Sequence, residues 1–429
     1  MPKNPIQPNK VKTPRLRFPG FEGVWEEEKF GDIYKFLKTN SFSRAELDEV
    51  GEIINIHYGD IHKSNKSHFD ISKEKLSFLK TKEIKGDFVK DGDLIVADAS
   101  EDRFDVGKTI EVLNIRDKKI VSGLHTFLAR PSEKILGFSG FLMRTENVKR
   151  QFWKIATGAS VLGVSKTEVE KIIINLPKLP EQQKIASFLG SVDEWLENLR
   201  SQKLKLEQYK KGIMQKIFSQ QIRFKDENGK DFPEWEERSL GEIGEIKTSS
   251  VDKKIELNEK SVLLLNYMDV YRRDHIFSAD SFQEITAKDN QISSCNLKKG
   301  DILFTPSSET PIDIGHSAVV MEDLPNVLFS YHLMRFRPKS QILNHLFSGY
   351  AFKSFGFYKK LWRLAQGATR FTLSLEAMKE VKVLIPKNLE EQQKIAEFLS
   401  SVDRLLELKQ QQITKAEEWK KGVMQGLFV

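Results

Sequence analysis

The sequence of 429 residues contains a single cysteine, Cys295, so no disulfide can form within it. It also lacks any run approaching the roughly 18 apolar residues that a membrane-spanning helix requires. The best candidates, 262–265 and 381–385, are only the size of strands. The opening residues Met1, Pro2, Lys3, Asn4 and Pro5 have no apolar segment of the kind that directs secretion. A cytoplasmic protein is expected. Reaction motifs are missing as well. There is no Gly-rich phosphate loop ending in Gly-Lys-Ser/Thr, no dinucleotide fingerprint, no Gly-x-Ser-x-Gly elbow and no Asn/Asp-Pro-Pro-aromatic tetrad of adenine methyltransferases. The eight histidines (57, 62, 68, 125, 275, 316, 332 and 345) show no zinc spacing beyond His57 and His62, which have no third ligand nearby and read as ordinary strand or loop residues. No catalytic residue, no metal site and no cofactor bound by this chain are therefore expected.

The composition, 39% hydrophobic and 30% charged with 29 Phe, is that of a folded globular protein. At roughly 100–200 residues per domain the length allows two or three cores. The net charge, 68 − 61 = +7, tilts towards polyanionic partners but is shared by many proteins that bind none.

Sliding the chain against itself reveals a duplication at an offset of 207–210. Trp25, Glu26, Glu27, Gly31 and Ile33 return as Trp235, Glu236, Glu237, Gly241 and Ile243. Tyr58, Asp60 and Ile61 return as Tyr267, Asp269 and Val270; Lys90, Gly92 and Asp93 as Lys298, Gly300 and Asp301; His125 and Arg130 as His332 and Arg337; Gly158 and Ala159 as Gly367 and Ala368. Similarity becomes dense at the end of each copy. Glu181-Gln182-Gln183-Lys184-Ile185-Ala186 is repeated as Glu391-Gln392-Gln393-Lys394-Ile395-Ala396, and Lys210-Lys211-Gly212 as Lys420-Lys421-Gly422. The pattern divides the chain into a disordered tail (1–14), a first variable domain (15–178), a central helix (179–218), a second variable domain (219–388) and a C-terminal helix (389–429).

The dense segments read as helices. Pro180 suits a first turn, acidic residues follow where the helix dipole favours them, and lysines crowd the far end. A heptad places Ile185, Val192, Leu199, Leu206 and Ile213 at one seam position and Phe188, Trp195, Gln202, Tyr209 and Lys216 at the other. The second copy carries Ile395, Val402, Lys409, Ala416 and Val423, then Phe398, Leu405, Gln412, Trp419 and Gly426, with Lys409 as a break. Helix-packing residues are thus Ile185, Phe188, Val192, Trp195 and Leu199, and Ile395, Phe398, Val402 and Leu405. Thirty-six helical residues make a rod of about 54 Å, too long for one small domain to cover, so the two rods should pair. Lys210-Lys211 and Lys420-Lys421 suit either the helix dipole or phosphate contacts.

Short apolar runs at 51–56, 93–97, 118–122, 261–265, 301–304 and 317–321, bounded by Gly, Pro and Asp, read as strands of a mixed α/β (α+β) domain with long loops. Three loops per copy combine cations, hydroxyls and aromatics, the groups that contact phosphates and base edges. They supply Lys63, Ser64 and Lys66 against Tyr271, Arg272 and Arg273; Ser100, Arg103 and Lys108 against Ser307, Ser308 and His316; and Ser160 against Thr369 and Arg370. Each loop alone also reads as a solvated turn. Their matching places in both copies, with differing polar side chains, suggest one scaffold bearing two different tips.

The doubled Glu-Gln-Gln-Lys-Ile-Ala element behind Leu176-Pro177 and Ile385-Pro386, with the Trp-Glu-Glu openings and Tyr58-Gly59-Asp60-Ile61-His62, resembles the specificity subunit of type I restriction-modification systems. The resemblance implies two target recognition domains, an internal pseudo-two-fold repeat and two helices pairing as an antiparallel coiled coil. It implies double-stranded DNA as ligand, read as two unlike half-sites separated by an unread spacer. The implied partners are two modification (methyltransferase) subunits holding S-adenosylmethionine, and restriction subunits using ATP and Mg. It carries no catalytic residues over to this chain. Two other readings compete: an assembly scaffold whose variable domains bind proteins, and a standalone nuclease.

Overall fold

The computed structural model describes residues 13–81, 83–133 and 136–429, so the tail expected over 1–14 falls almost wholly outside the described residues. The backbone divides into two units: the residues up to Arg200 together with Gln411–Val429, and Ser201–Gln410.

The first unit is built on a five-stranded sheet in the order Tyr34–Leu37, Thr126–Pro131, Leu94–Ala97, Thr109–Leu113, His68–Asp70. Its middle strand, Leu-Ile-Val-Ala, is buried at all four positions. Both faces are covered, so its sequence is continuously apolar rather than alternating. A second sheet runs Lys119–Ser122, Ile53–Ile56, Ser77–Leu79, Leu47–Asp48. The second unit repeats the plan. Its five strands are Gly244–Thr248, Met334–Pro338, Ile302–Phe304, Ser317–Val320 and His275–Ile276, and a three-stranded sheet follows the order Gln283–Ala287, Lys260–Leu265, Val327–Phe329. All six expected strands are present, within mixed α/β units.

The sparse identities between the copies mark structural joints. Asp93, fully buried, accepts two hydrogen bonds from the Arg130 guanidinium at 2.9 and 2.7 Å, and Asp301 accepts two from Arg337, both at 2.7 Å. In both arginines this carboxylate bonding raises the pKa above its ordinary value. The Tyr-x-Asp motif is a capped helical turn. The Asp60 carboxylate accepts the His57 backbone N–H at 3.0 Å and the Asp269 carboxylate accepts that of Asn266 at 3.0 Å, while Ile61 and Val270 are fully buried beneath. These capping bonds turn 58–63 and 267–271 into short helices, where loops had been expected.

The long helices span Leu179–Phe218 and Leu389–Leu427. Their dense opening motif is explained by burial. Glu181 accepts hydrogen bonds from Arg17 at 2.8 and 2.7 Å, and Glu391 accepts from Trp235 Nε1 at 3.0 Å and from Arg223 at 3.4 Å. The following Gln182 and Gln392 donate to the carbonyls of Pro177 and Pro386, holding the chain at the domain-to-helix junction.

Within each unit, antiparallel helical segments pair. In the first, Val192, Leu196 and Leu199 pack against Ile413 and Ala416, flanked by the ion pairs Arg200–Glu417 (2.5 Å) and Lys420–Asp193. In the second, Lys210 pairs with Asp403 at 2.5 Å and Lys409 Nζ donates to Gln202 Oε1 at 3.0 Å. These contacts correct the heptad reading. The buried line through Ile185, Leu189, Val192, Leu196 and Leu199, and through Ile395, Leu399 and Val402, puts the second seam position one residue later than expected. Phe188 and Phe398 lie at its border, and Trp195 and Leu405 are 49% and 53% exposed, although Phe188 and Trp195 still meet Trp419 of the other long helix edge-on. Steps of three and of four after Ile185 both suit an amphipathic pattern. The surfaces packed against the helix select between them, the domain core at Ile185 and Leu189 and the partner helix at Val192, Leu196 and Leu199. Lys409 does not break the seam, because its chain spans the partner's edge to reach Gln202. Lys210 and Lys420 are corrected too. They make ion pairs between helical segments, beyond any interaction with the dipole of their own helix.

Candidate nucleic-acid interface

In the second unit the three expected loops converge on one cleft. The short helix Tyr267–Tyr271 follows strand Lys260–Leu265, and Ser307–Ser308 follows Ile302–Phe304. A small hairpin closed by the reciprocal bonds of Gln366 and Thr372 (3.0 and 2.8 Å) pairs its return strand, Phe371–Thr372, with Ser307–Ser308. Together they enclose a cleft of about 1260 Å³ to which Tyr271, Ser307, Ser308, Thr369 and Arg370 all contribute. Tyr267, which opens the first expected loop, also lines it, as do Lys253, Asn266 and His332, which were not expected there. A signal existed for two of them, since His332 is the repeat partner of His125 and Lys253-Lys254 is a basic pair in a polar loop.

The cleft is ordered by aromatic and carboxylate contacts. Tyr267 and Tyr271 stack at 6.0 Å, and the Tyr267 hydroxyl donates to the Ser307 carbonyl at 2.9 Å. Asp313 accepts from Tyr271 at 3.2 Å and pairs with His316 Nε2 at 2.8 Å, so His316 braces Tyr271 from behind the cleft. The Asp313 charge pushes the Tyr271 hydroxyl pKa up. Burial, then Arg370 and Lys253, push the His332 imidazole below its ordinary value. The three arginines separate. Arg273 donates to Ser281 Oγ at 2.7 Å, lies 3.9 Å from Asp269 and covers the Phe282 ring. Arg272 is exposed outside the cleft lining, and Arg370 is exposed at the cleft edge with one long bond, 3.5 Å, to Ser307 Oγ.

The first unit distributes its expected residues differently. Lys108 is buried, donating to the His62 carbonyl at 2.8 Å and to Asp105 at 3.2 Å, so it ties loops together. Lys66 bonds Glu74 at 2.6 Å and lies 3.4 Å from Glu197 of the central helix. With Lys63 and Ser64 it lines a groove in which Asp193, Glu194 and Glu197 stand beside Lys73, Arg200 and Lys420. Ser100 is buried in a strand pair with Leu162, while Arg103 and Ser160 are exposed. The unit's own cleft, about 780 Å³, is lined instead by unforeseen residues that include Lys38, Asn40, Lys85, Asp98, His125 and Lys166. Asp98 faces His125 at 3.4 Å, and burial raises its carboxyl pKa.

Residues 22–208 and 233–418 each match the family model described as type I restriction modification DNA specificity domain. The chain belongs to this family. Among type I specificity subunits, that of the MjaVIII enzyme of Methanocaldococcus jannaschii is 30% identical over 298 residues, covering 67% of this chain and 69% of that protein. The putative MjaX specificity subunit of the same organism is 24% identical over 431 aligned positions, covering 94% and 92%. In fold, the chain is similar to the S subunit from M. genitalium (TM-score 0.54, 15% identity, 97% and 99% covered). It is also similar to a chain from a structural study of complex assembly and conformational transition of the type I R-M system (TM-score 0.60, 15% identity, 95% and 97% covered). The expected fold class, duplicated recognition domains alternating with long helices, stands as that of a specificity subunit. Among the described residues no helix is long and apolar enough to cross a membrane.

Proposed function

We propose that this specificity subunit binds double-stranded DNA and that each variable domain, 15–178 and 219–388, reads one half of a bipartite, asymmetric target. On this reading the helices at 179–218 and 389–429 set the spacer between the half-sites. They also dock two modification subunits, which hold S-adenosylmethionine and methylate adenine, and restriction subunits, which use ATP and Mg. The chain itself contributes recognition, holds no cofactor and works in the cytoplasm with its DNA. The observation that carries this reading is the match of both repeats to a DNA specificity domain, together with the convergence of Tyr271, Ser307, Ser308, Thr369 and Arg370 on one cleft.

The contact set divides by chemistry. Arg370, Thr369, Ser307 and Tyr271 have the donors and acceptors for base edges. Lys253 in the cleft and the exposed Arg103, Arg272 and Lys63 suit phosphates. Replacing residues 25–175 with those of another specificity subunit should change one half-site of the methylated sequence and leave the other intact, and a change in both would defeat the modular reading. In duplex-binding titrations with the modification subunits present, Lys253→Ala should weaken binding and flatten the salt dependence by about one charge. Lys66→Ala and Lys108→Ala should leave the salt slope as it is, since both lysines already face carboxylates.

A further inference from the structure

The small hairpin at the end of each variable domain has the same backbone in both copies. Thr157 and Gly163 exchange bonds at 2.9 and 2.8 Å, as Gln366 and Thr372 do at 3.0 and 2.8 Å. Gly158 and Gly367 have φ of +135° and +140°, and a Cβ at either would meet the carbonyl oxygen three residues on, Val161 or Arg370, at 2.0 Å. The return strands pair with Ala99–Ser100 and Ser307–Ser308. A tight turn that excludes all residues but glycine at one point, anchored on a strand, holds its tip rigidly. The tips differ in content. Ala159-Ser160-Val161 occupies the first and Ala368-Thr369-Arg370 the second, and all six residues are exposed. At one equivalent backbone position, then, the first domain presents an apolar Val161 and the second a guanidinium.

We propose that positions 161 and 370 are equivalent specificity-determining positions, with Arg370 reading a guanine in the second half-site and Val161 meeting a thymine methyl in the first. This rests on the DNA-reading function proposed above. An arginine fork matches the O6 and N7 acceptors of guanine in the major groove, and an apolar side chain matches the thymine C5 methyl. Arg370 is the arginine suited to this work, because Arg273 is occupied by Ser281, Asp269 and Phe282. The carboxylates lining the same cleft are Asp269, Glu309 and Asp313. Asp269 is engaged in capping its helix and Asp313 in holding Tyr271 and His316. The three acids disfavour phosphate deep in the cleft, while Arg370 at its edge, with one long bond to Ser307, offers its fork to base-edge acceptors.

The test uses the full chain co-expressed with modification subunits in a host lacking other adenine methylation, with methylated sites mapped on a randomised plasmid library. Arg370→Val and Arg370→Lys should each reduce discrimination at one guanine of a single half-site by about tenfold or more, since lysine keeps the charge and loses the fork. Val161→Arg should create a guanine preference at one position of the other half-site. Both positions are exposed, and co-purification with the modification subunits verifies folding. Loss of methylation on all sequences equally in Arg370→Val, with Arg370→Lys restoring it, would make Arg370 a phosphate anchor and overturn the proposal. An unchanged second half-site in Arg370→Val, or an unchanged first half-site in Val161→Arg, would also overturn it. In each of these cases a sequence-specific wild type would leave the DNA-reading function intact. A wild-type complex with no sequence preference would instead remove that function itself.

Discussion

The two five-stranded sheets share strand order, the buried Asp–Arg joint and the hairpin geometry, yet the clefts beside them share little beyond the repeat pair His125 and His332. One is lined by Tyr267, Tyr271, Ser307 and Arg370, the other by Lys38, Asn40, His125 and Lys166. Positions that stabilise each unit are thus repeated, while positions that face outward are free to differ. A buried carboxylate without its arginine is costly, whereas a solvated side chain is replaced at little expense. The comparison teaches that a cleft can diverge within one chain without disturbing the frame that carries it.

The largest expected effect comes from breaking that frame. Asp301→Ala should destabilise the second unit by about 3 kcal/mol, and Asp93→Ala the first by a similar amount, because each removes charge-assisted bonds to a partly buried arginine. Hydrogen exchange in strands Leu94–Ala97 and Ile302–Phe304 reads the two units separately. Loss of protection in both from either substitution would show that the units are not independent in stability.

A smaller difference should separate the two tryptophans. Trp235 Nε1 donates to the buried Glu391, whereas among the described residues Trp25 Nε1 has no hydrogen-bond partner. Trp235→Phe should cost about 1–2 kcal/mol more than Trp25→Phe in denaturant titrations. Equal losses would mean that the carboxylate contact contributes nothing net.

Acid should also distinguish the units. His275, His332 and His345 in the second, and His57 in the first, are held below the ordinary imidazole value, in each case mainly by burial. A histidine that the fold keeps neutral takes up its proton more readily when unfolded. The stability it contributes is full above about pH 6.5 and is lost as the pH falls from there towards the depressed folded value. Three such residues against one predict that between about pH 7.5 and 5.5 the second unit loses more exchange protection than the first. The reverse order would contradict this accounting.

The smallest effect is expected at the helical seam. Lys409 stands where the other copy has Leu199, and Lys409→Leu should change thermal stability by no more than about 1 kcal/mol in either direction, the exposed hydrogen bond to Gln202 being traded for apolar contact. A much larger loss would mean that the Lys–Gln contact specifies the helix register.

Much of the frame was legible because it is written locally and twice. The runs Leu94–Ala97 and Ile302–Phe304 are apolar throughout, Pro180 and the first-turn acids mark helix starts, and the Glu-Gln-Gln-Lys-Ile-Ala element recurs with the junction it stabilises. The candidate site was legible in the second copy and poorly so in the first. Lys66 and Lys108 have the same composition signal as Lys253, and only long-range neighbours tell them apart.

The sequence by itself determined the duplication, six of the strands, the two long helices and the family, since each depends on residue type and spacing within a short window or on its repetition. The tertiary structure alone decided that Leu189 and Leu196, and not Phe188 and Trp195, complete the buried line. It also decided which lysines pair with Asp105, Glu74, Asp193 and Asp403 and which remain at a cleft. The physical reason is the same in both cases. A side chain's partner is chosen by residues distant along the chain, through burial and charge that no local pattern encodes.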